Sequence, residues 1–304
     1  MVKENSWIST IPNTMLIKRI GIIPALYKLS ARLFTRDKDV TAICSRIGAQ
    51  KYLERYVHEL PTERSFCATT QYTPTIWVCW LQGEEAMPQL LKKCVASIRD
   101  HCHPIPVRFV TADNITELIS IPTHIKDKYE KGIINHTFYS DYVRLAILAR
   151  YGGLWIDATV LFTENLPKEI IESDLFCVGC QQQGGVSACN WFIGTKPGNP
   201  IIEDMKECLE HYWEKENKLI SYSIFHLFFT LIVNRNETNR TIWQKCPYFS
   251  GDAAYILQRE MFAEYSETRF NRIKKLSPFH KLTYKNQEED EKEENTFFKK
   301  ILEM

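Results

Sequence analysis

The sequence predicts an α/β fold with a parallel or mostly parallel sheet and crossover helices. Two observations carry this. From Thr73 onward, short apolar runs alternate with helix-length runs, in the strand–helix–strand–helix rhythm of crossover connections. Residues 139–160 then read as an amphipathic helix, a Gly-Gly stop and a short apolar strand that ends on a lone carboxylate. A chain of 304 residues has room for one large domain of this kind with accessories, or at most two domains.

Taken in order, residues 1–60 form an arm in which Lys18, Arg19, Lys28, Arg32, Arg36 and Lys38 alternate with Leu16, Ile20, Ile23, Leu26, Leu29 and Leu33. Two readings stand: a basic amphipathic segment lying in an anionic membrane interface, or a helical pair packed on the main domain. Gly21 and Pro24 interrupt any single long helix. Ile76-Trp77-Val78-Cys79-Trp80 is a compact strand followed by a Gln-Gly-Glu-Glu loop, and Pro88 to Asp100 is a helix burying Leu90, Leu91, Cys94, Val95 and Ile98. Val107 to Val110 is the next strand, and Asp113-Asn114 opens a helical turn. A helix over about 137–151 and strands at 154–157 and 175–179 continue the pattern. The strand Trp191 to Gly194, a Pro-Gly-Asn-Pro turn, and helices over about 200–215 and 220–233 follow. The last residues, with Glu288-Glu289-Asp290-Glu291, read as an acidic tail and a solvated helix end.

Composition narrows the class. The chain is 44% hydrophobic and 25% charged, as in ordinary globular proteins, and a net charge of +1 gives no global field for nucleic acid. No run reaches the roughly 18 apolar residues of a membrane span. The ten cysteines are irregularly spaced and follow no secretory segment, so reduced thiols in a cytoplasmic protein are expected. Cys177-Val-Gly-Cys180 has no second pair and lies in a strand-like run, which favours packing over metal or redox chemistry. His101-Cys102-His103 reads as a surface loop. The Asn-x-Thr sequons at Asn114, Asn135, Asn236 and Asn239 read as chance, since one opens the helix before the Gly-Gly stop.

The chemistry is concentrated around that stop. Asp141 and Arg144 lie three apart on one helical face, and Asp157 sits where its strand leaves the sheet. In open α/β sheets ligands bind at that edge. A surface ion pair at this spacing is worth only about 0.3 kcal/mol, but together with Asp157 it suits a charged, hydroxyl-rich ligand.

Taken with Trp80-Leu81-Gln82-Gly83-Glu84-Glu85, Ser140-Asp141-Tyr142-Val143-Arg144-Leu145, Tyr151-Gly152-Gly153-Leu154-Trp155-Ile156-Asp157-Ala158-Thr159, Asn190-Trp191-Phe192-Ile193 and Ser277-Pro278-Phe279-His280-Lys281-Leu282, the block from Thr75 to about Lys285 resembles the capsular polysaccharide synthesis proteins, relatives of glycosyltransferase family 32 with its DXD sugar-binding region. The resemblance implies a GT-A-type, Rossmann-like mixed sheet with flanking helices. It divides the chain into an N-terminal helical arm (1–70), a glycosyltransferase domain (71–285) and an acidic tail (286–304).

The implied activity is retaining transfer of a hexose from a nucleotide-sugar, a UDP-hexose, to a growing capsular or other cell-surface polysaccharide or a lipid-linked oligosaccharide. By resemblance Asp157 and Arg144 are catalytic, and Trp77, Trp80, Asp141, Arg144, Asp157, Asn190 and Lys281 hold the donor. Trp77 and Trp80 are alternative stacking partners for the base, because strand alternation sends them to opposite faces. A divalent cation, Mn²⁺ or Mg²⁺, would be held by Asp157, Thr159 and His280, although Thr159 stands where the family's second Asp is usual and is a weaker ligand. Lys285 is a further candidate for the phosphates, Gln181 to Gly185 a loop over the site, and Asp252 an acceptor-side carboxylate. The place of action would be the cytoplasm, peripherally on the inner membrane face. Two other readings compete: a non-catalytic nucleotide-sugar or glycan-binding protein, and a toxin-like transferase acting on a host protein, which the compact chain disfavours.

Overall fold

The computed structural model describes residues 22–34, 37–66, 72–179, 188–285 and 293–304. Its centre is a five-stranded sheet of β1 (Ile76–Cys79), β2 (Val107–Val110), β3 (Gly153–Ile156), β5 (Leu175–Gly179) and β6 (Ala188–Thr195), in the order β2-β1-β3-β6-β5. β1 pairs in parallel with β2 and β3, whereas β6 runs antiparallel to both β3 and β5. The sheet is therefore mixed: the crossover rhythm holds for its first half, and the second half returns antiparallel.

Alternation along each strand separates two cores. Trp77, Trp155, Cys177 and Ile193 face one layer of apolar residues, and Ile76, Val78, Leu154, Ile156, Phe176 and Phe192 face the other. The first layer is completed by α2 (Lys38–His58), α5 (His136–Tyr151), α6 (Pro200–Lys215) and α7 (Ile224–Asn234). The second contains α3 (Gln89–His101) and a two-stranded ribbon of β4 (Val160–Phe162) and β7 (Phe279–Lys281).

The helix α5 departs from its expected amphipathic character. Asn135 caps it by accepting from the Phe138 amide at 3.1 Å, and every residue from Asp141 to Ala149 is buried. Sandwiched between sheet and α6, it has no solvent face on which to be polar. It stops at Gly152 and Gly153, both at positive φ (62° and 94°), a region costly for residues with a Cβ. A Cβ on Gly153 would run into the Thr75 carbonyl oxygen, and one on Gly152 would lie 2.6 Å from Pro197 Cδ. The double glycine thus lets helix turn directly into strand while two neighbouring segments press against the turn.

At the N-terminal end the described residues take the second of the two readings, a helical pair packed on the domain, whereas the C-terminal end differs from expectation. α1 (Ile22–Phe34) and α2 form a helical hairpin, and α2 is seated on the domain through Ala49, Leu53 and Tyr56, with the Tyr56 hydroxyl donating to Glu216 at 2.8 Å. The C-terminal helix, expected to be solvated, packs Phe297, Phe298 and Ile301 into the second core. The Glu288-Glu289-Asp290-Glu291 run lies outside the described residues.

All four sequon asparagines are engaged locally. Asn135 and Asn236 cap helices, Asn114 donates to the Phe109 carbonyl, and buried Asn239 donates to the Ile232 carbonyl. Cys44, Cys79, Cys94, Cys102, Cys208 and Cys246 are free thiols; Cys177 is core, and Cys180 lies outside the described residues.

Candidate active site

The carboxyl edge of β3 gathers six of the expected residues. The Arg144 guanidinium, only 4% exposed, spans two carboxylates: Nη1 donates to Asp141 Oδ1, and Nη2 donates to Asp157 Oδ1 at 3.2 Å. It also lies over the Trp155 ring, 5.1 Å from the centroid. Asn190, from β6, donates its amide to Asp141 Oδ1 at 2.9 Å. Lys281, the last residue of β7, donates to Asp157 Oδ2 at 2.7 Å and to Thr159 Oγ1 at 2.6 Å.

Asp157 is held by backbone as well as side chain. Its amide donates to the Trp191 carbonyl at 2.9 Å and its carbonyl accepts from Val160 at 3.0 Å, closing the tight turn that carries Thr159. Trp155 Nε1 adds a hydrogen bond to Oδ1 at 3.0 Å. The two carboxylates feel different fields. Burial pushes Asp141 above the usual carboxylate range, with Arg144 and Asn190 pulling against it. At Asp157 the burial penalty is outweighed by Lys281 and Arg144, which hold it below that range. Asp157 is thus the firmly ionised partner, and its side chain, 27% exposed, is the one that faces out of the fold.

Two expectations are corrected. Trp77 is 1% exposed, donates to the Gly152 carbonyl at 3.0 Å and packs on Tyr151, so it has no face left for a base. Trp80, beyond the end of β1, is only partly buried and meets the Tyr284 ring edge-on at 5.4 Å, so the stacking expectation passes to it. His280 does not join Asp157 and Thr159. It is fully buried on the other side of the ribbon, its Nε2 is 3.1 Å from Thr163 Oγ1, and burial lowers its pKa to about 4.

The expected cation ligands therefore do not converge. Among the described residues no group of three or more His, Cys, Asp or Glu is placed to hold a metal ion. The face of Asp157 turned toward Thr159 is taken by Lys281, so the residues present do not fit the Asp157–Thr159–His280 set.

Lys285 and Asp252 are exposed and lie outside this cluster of contacts, and the Gln181 to Gly185 loop lies outside the described residues. Two participants escaped the sequence reading. Trp155 and Asp157 stand two apart in an extended segment, a spacing that puts both on one face and was readable as such. Cys79, at the end of β1, lies within the electrostatic reach of Arg144 and Asp157; burial pushes its thiol up to about 12, which keeps it protonated and unsuited to nucleophilic attack.

Comparison with known proteins places the chain in a family. The family model described as "Capsular polysaccharide synthesis protein" matches residues 41–301, and the chain belongs to that family. The "Subversion of eukaryotic traffic protein A" of Legionella pneumophila subsp. pneumophila (strain Philadelphia 1) is 29% identical over 102 residues, which is 33% of this chain. That match spans only 16% of the Legionella protein. Among solved structures, "PaToxG Glycosyltransferase" superposes with a TM-score of 0.38 at 11% identity, covering 76% of this chain and 95% of that one.

Proposed function

We propose that the protein is a glycosyltransferase that moves a hexose from a UDP-sugar onto a growing capsular or other cell-surface polysaccharide or lipid-linked oligosaccharide, with retention of configuration. The observation that carries this reading is the cluster Asp141–Arg144–Asp157–Asn190–Lys281 at the carboxyl edge of the sheet, the place where α/β folds take nucleotides and sugars. Membership of the capsular polysaccharide synthesis family supports the substrate class.

In this reading Asp157 accepts hydrogen bonds from donor hydroxyls, and Asp141 with Asn190 fixes the sugar or ribose. Arg144 orients both carboxylates, and Trp80 offers its ring to the base. The leaving diphosphate takes the acceptor's proton on the face from which it departs, so no separate strong base is needed. The acceptor is reached at the cytoplasmic face of a membrane through α1, whose Ile22, Leu26 and Leu33 are exposed. No helix among the described residues is long and apolar enough to cross a membrane.

The test is turnover of radiolabelled UDP-glucose, UDP-galactose and UDP-N-acetylglucosamine, followed as slow hydrolysis or as transfer to lipid-linked acceptors. Release of UDP that disappears in Asp157→Ala supports the transferase. Tight binding of these donors with no turnover under any condition supports a nucleotide-sugar-binding protein instead.

A further inference from the structure

We propose that Lys281 supplies in this protein the positive charge that a divalent cation would otherwise bring to the donor diphosphate, so that transfer proceeds without a metal. The inference rests on the transferase reading above and concerns how its leaving group is stabilised.

The Lys281 ammonium lies between Asp157 Oδ2 and Thr159 Oγ1, at 2.7 and 2.6 Å. These are the first and third positions of the Asp-Ala-Thr turn, the two that a metal would need. Asp157 is otherwise engaged: Oδ1 accepts from both Arg144 and Trp155. A divalent ion arriving there would have to displace an ammonium and would gain only one carboxylate and a neutral hydroxyl, a poor set for Mn²⁺ or Mg²⁺. His280 cannot complete that set, because the alternation that turns Lys281 toward the turn sends its neighbour into the core beside Thr163.

Charge is balanced without an ion. Two carboxylates, Asp141 and Asp157, meet two cations, Arg144 and Lys281. An ammonium has three N–H donors, and two are used on Asp157 and Thr159. The third remains for a phosphate oxygen, and the side chain is 16% exposed, enough for a ligand to reach it. Arg144 Nε, buried and without a partner, is a further unspent donor in the same cluster.

The transfer balances around this charge. The bond from the sugar's anomeric carbon to the β-phosphate oxygen breaks, and its electron pair leaves with the diphosphate. The acceptor oxygen bonds to the anomeric carbon, and its proton passes to the departing diphosphate. Lys281 stays protonated throughout and stabilises the growing negative charge.

The experiment titrates UDP into the purified full chain by calorimetry, once with EDTA and once with Mn²⁺, and follows donor turnover under the same two conditions. The expected result is equal affinity and equal turnover in both. Lys281→Met, which keeps the length of the stem, weakens UDP at least about tenfold in both, while Lys281→Arg keeps affinity within a few-fold. In Thr159→Asp with Lys281→Ala, binding returns only with Mn²⁺, because a carboxylate pair replaces the ammonium. Thermal melts of each variant separate a lost fold from a lost contact. Wild-type binding or turnover that fails in EDTA and returns with Mn²⁺ overturns the proposal, as does Lys281→Met binding like wild type. Absence of binding by UDP, GDP, ADP and CMP in both conditions overturns the transferase reading and this inference with it.

Discussion

Trp155 Nε1 donates to Oδ1 of Asp157 at 3.0 Å, while the same indole ring lies beneath the Arg144 guanidinium. One side chain therefore sets the position of both an acid and its counter-ion. In Trp155→Phe the ring and its packing persist and only the N–H is lost. A hydrogen bond to a charged group contributes about 1.5–3 kcal/mol. The variant is expected to fold and to lose about tenfold or more in kcat for donor turnover, with a smaller change in melting temperature than Trp155→Ala. Steady-state kinetics beside thermal denaturation check this.

Arg144 is the shared partner of two carboxylates in a nearly closed site. Removing it as Arg144→Met leaves Asp141 facing Asp157 without its cation, a change expected to cost about 3–5 kcal/mol. Arg144→Lys restores the charge but not the fork, so it reaches one carboxylate at a time. Urea unfolding is expected to rank stability as wild type, then Lys, then Met. UDP affinity should fall in both variants.

Trp77, within β1, and Trp80, just past its end, separate cleanly by variant. Trp77→Ala empties a fully buried position and is expected to lose about 3–5 kcal/mol of stability. Trp80→Ala, at a partly exposed position, is expected to cost far less stability but to weaken UDP by about 5- to 150-fold, the equivalent of about 1–3 kcal/mol for a stacked base. Denaturant curves and calorimetric UDP titrations on the two variants should therefore give opposite patterns.

His280 predicts an acid sensitivity with a definite window. Its pKa falls from an ordinary 6.5 to about 4 because burial disfavours the imidazolium. Between these values the unfolded chain binds the proton and the folded chain does not, so stability falls as pH drops from 6.5 toward 4. The full loss is on the order of 3 kcal/mol. His280→Phe should flatten that limb, at a neutral-pH cost of about 1 kcal/mol for the Thr163 hydroxyl it leaves alone. Asp157, held low, contributes stability that is lost only at more acid pH, as it protonates. Urea midpoints across the range distinguish the two.

What the sequence made legible was local. The helix, the glycine pair and Asp157 are contiguous, and Asp141 and Arg144 share a face by helical spacing alone, so their meeting could be read from the chain. β5 and α6 matched their expected bounds because each is an uninterrupted apolar or periodic run. The strands' own patterns did not give the antiparallel half of the sheet, since pairing partners leave no mark there; the mixed sheet was legible only through the family resemblance. Nor was the choice between His280 and Lys281. Adjacent residues in a strand face opposite ways, and which one meets Asp157 is decided by the register of β7 on β4, where a slip of one residue would exchange them. The C-terminal helix was misjudged because its acidic preamble masked the apolar spacing of Phe297, Phe298 and Ile301.

The β4–β7 ribbon also sets an order of events. Lys281 follows Asp157 by 124 residues, so during synthesis the helix, the glycine turn and the carboxylate emerge long before their cation does. Until β7 lies down on β4, the nascent chain holds a half-neutralised acid at the sheet edge. Closing so long a loop comes late in assembly. Completion of the proposed diphosphate site is thereby deferred until the sheet and both its cores are in place.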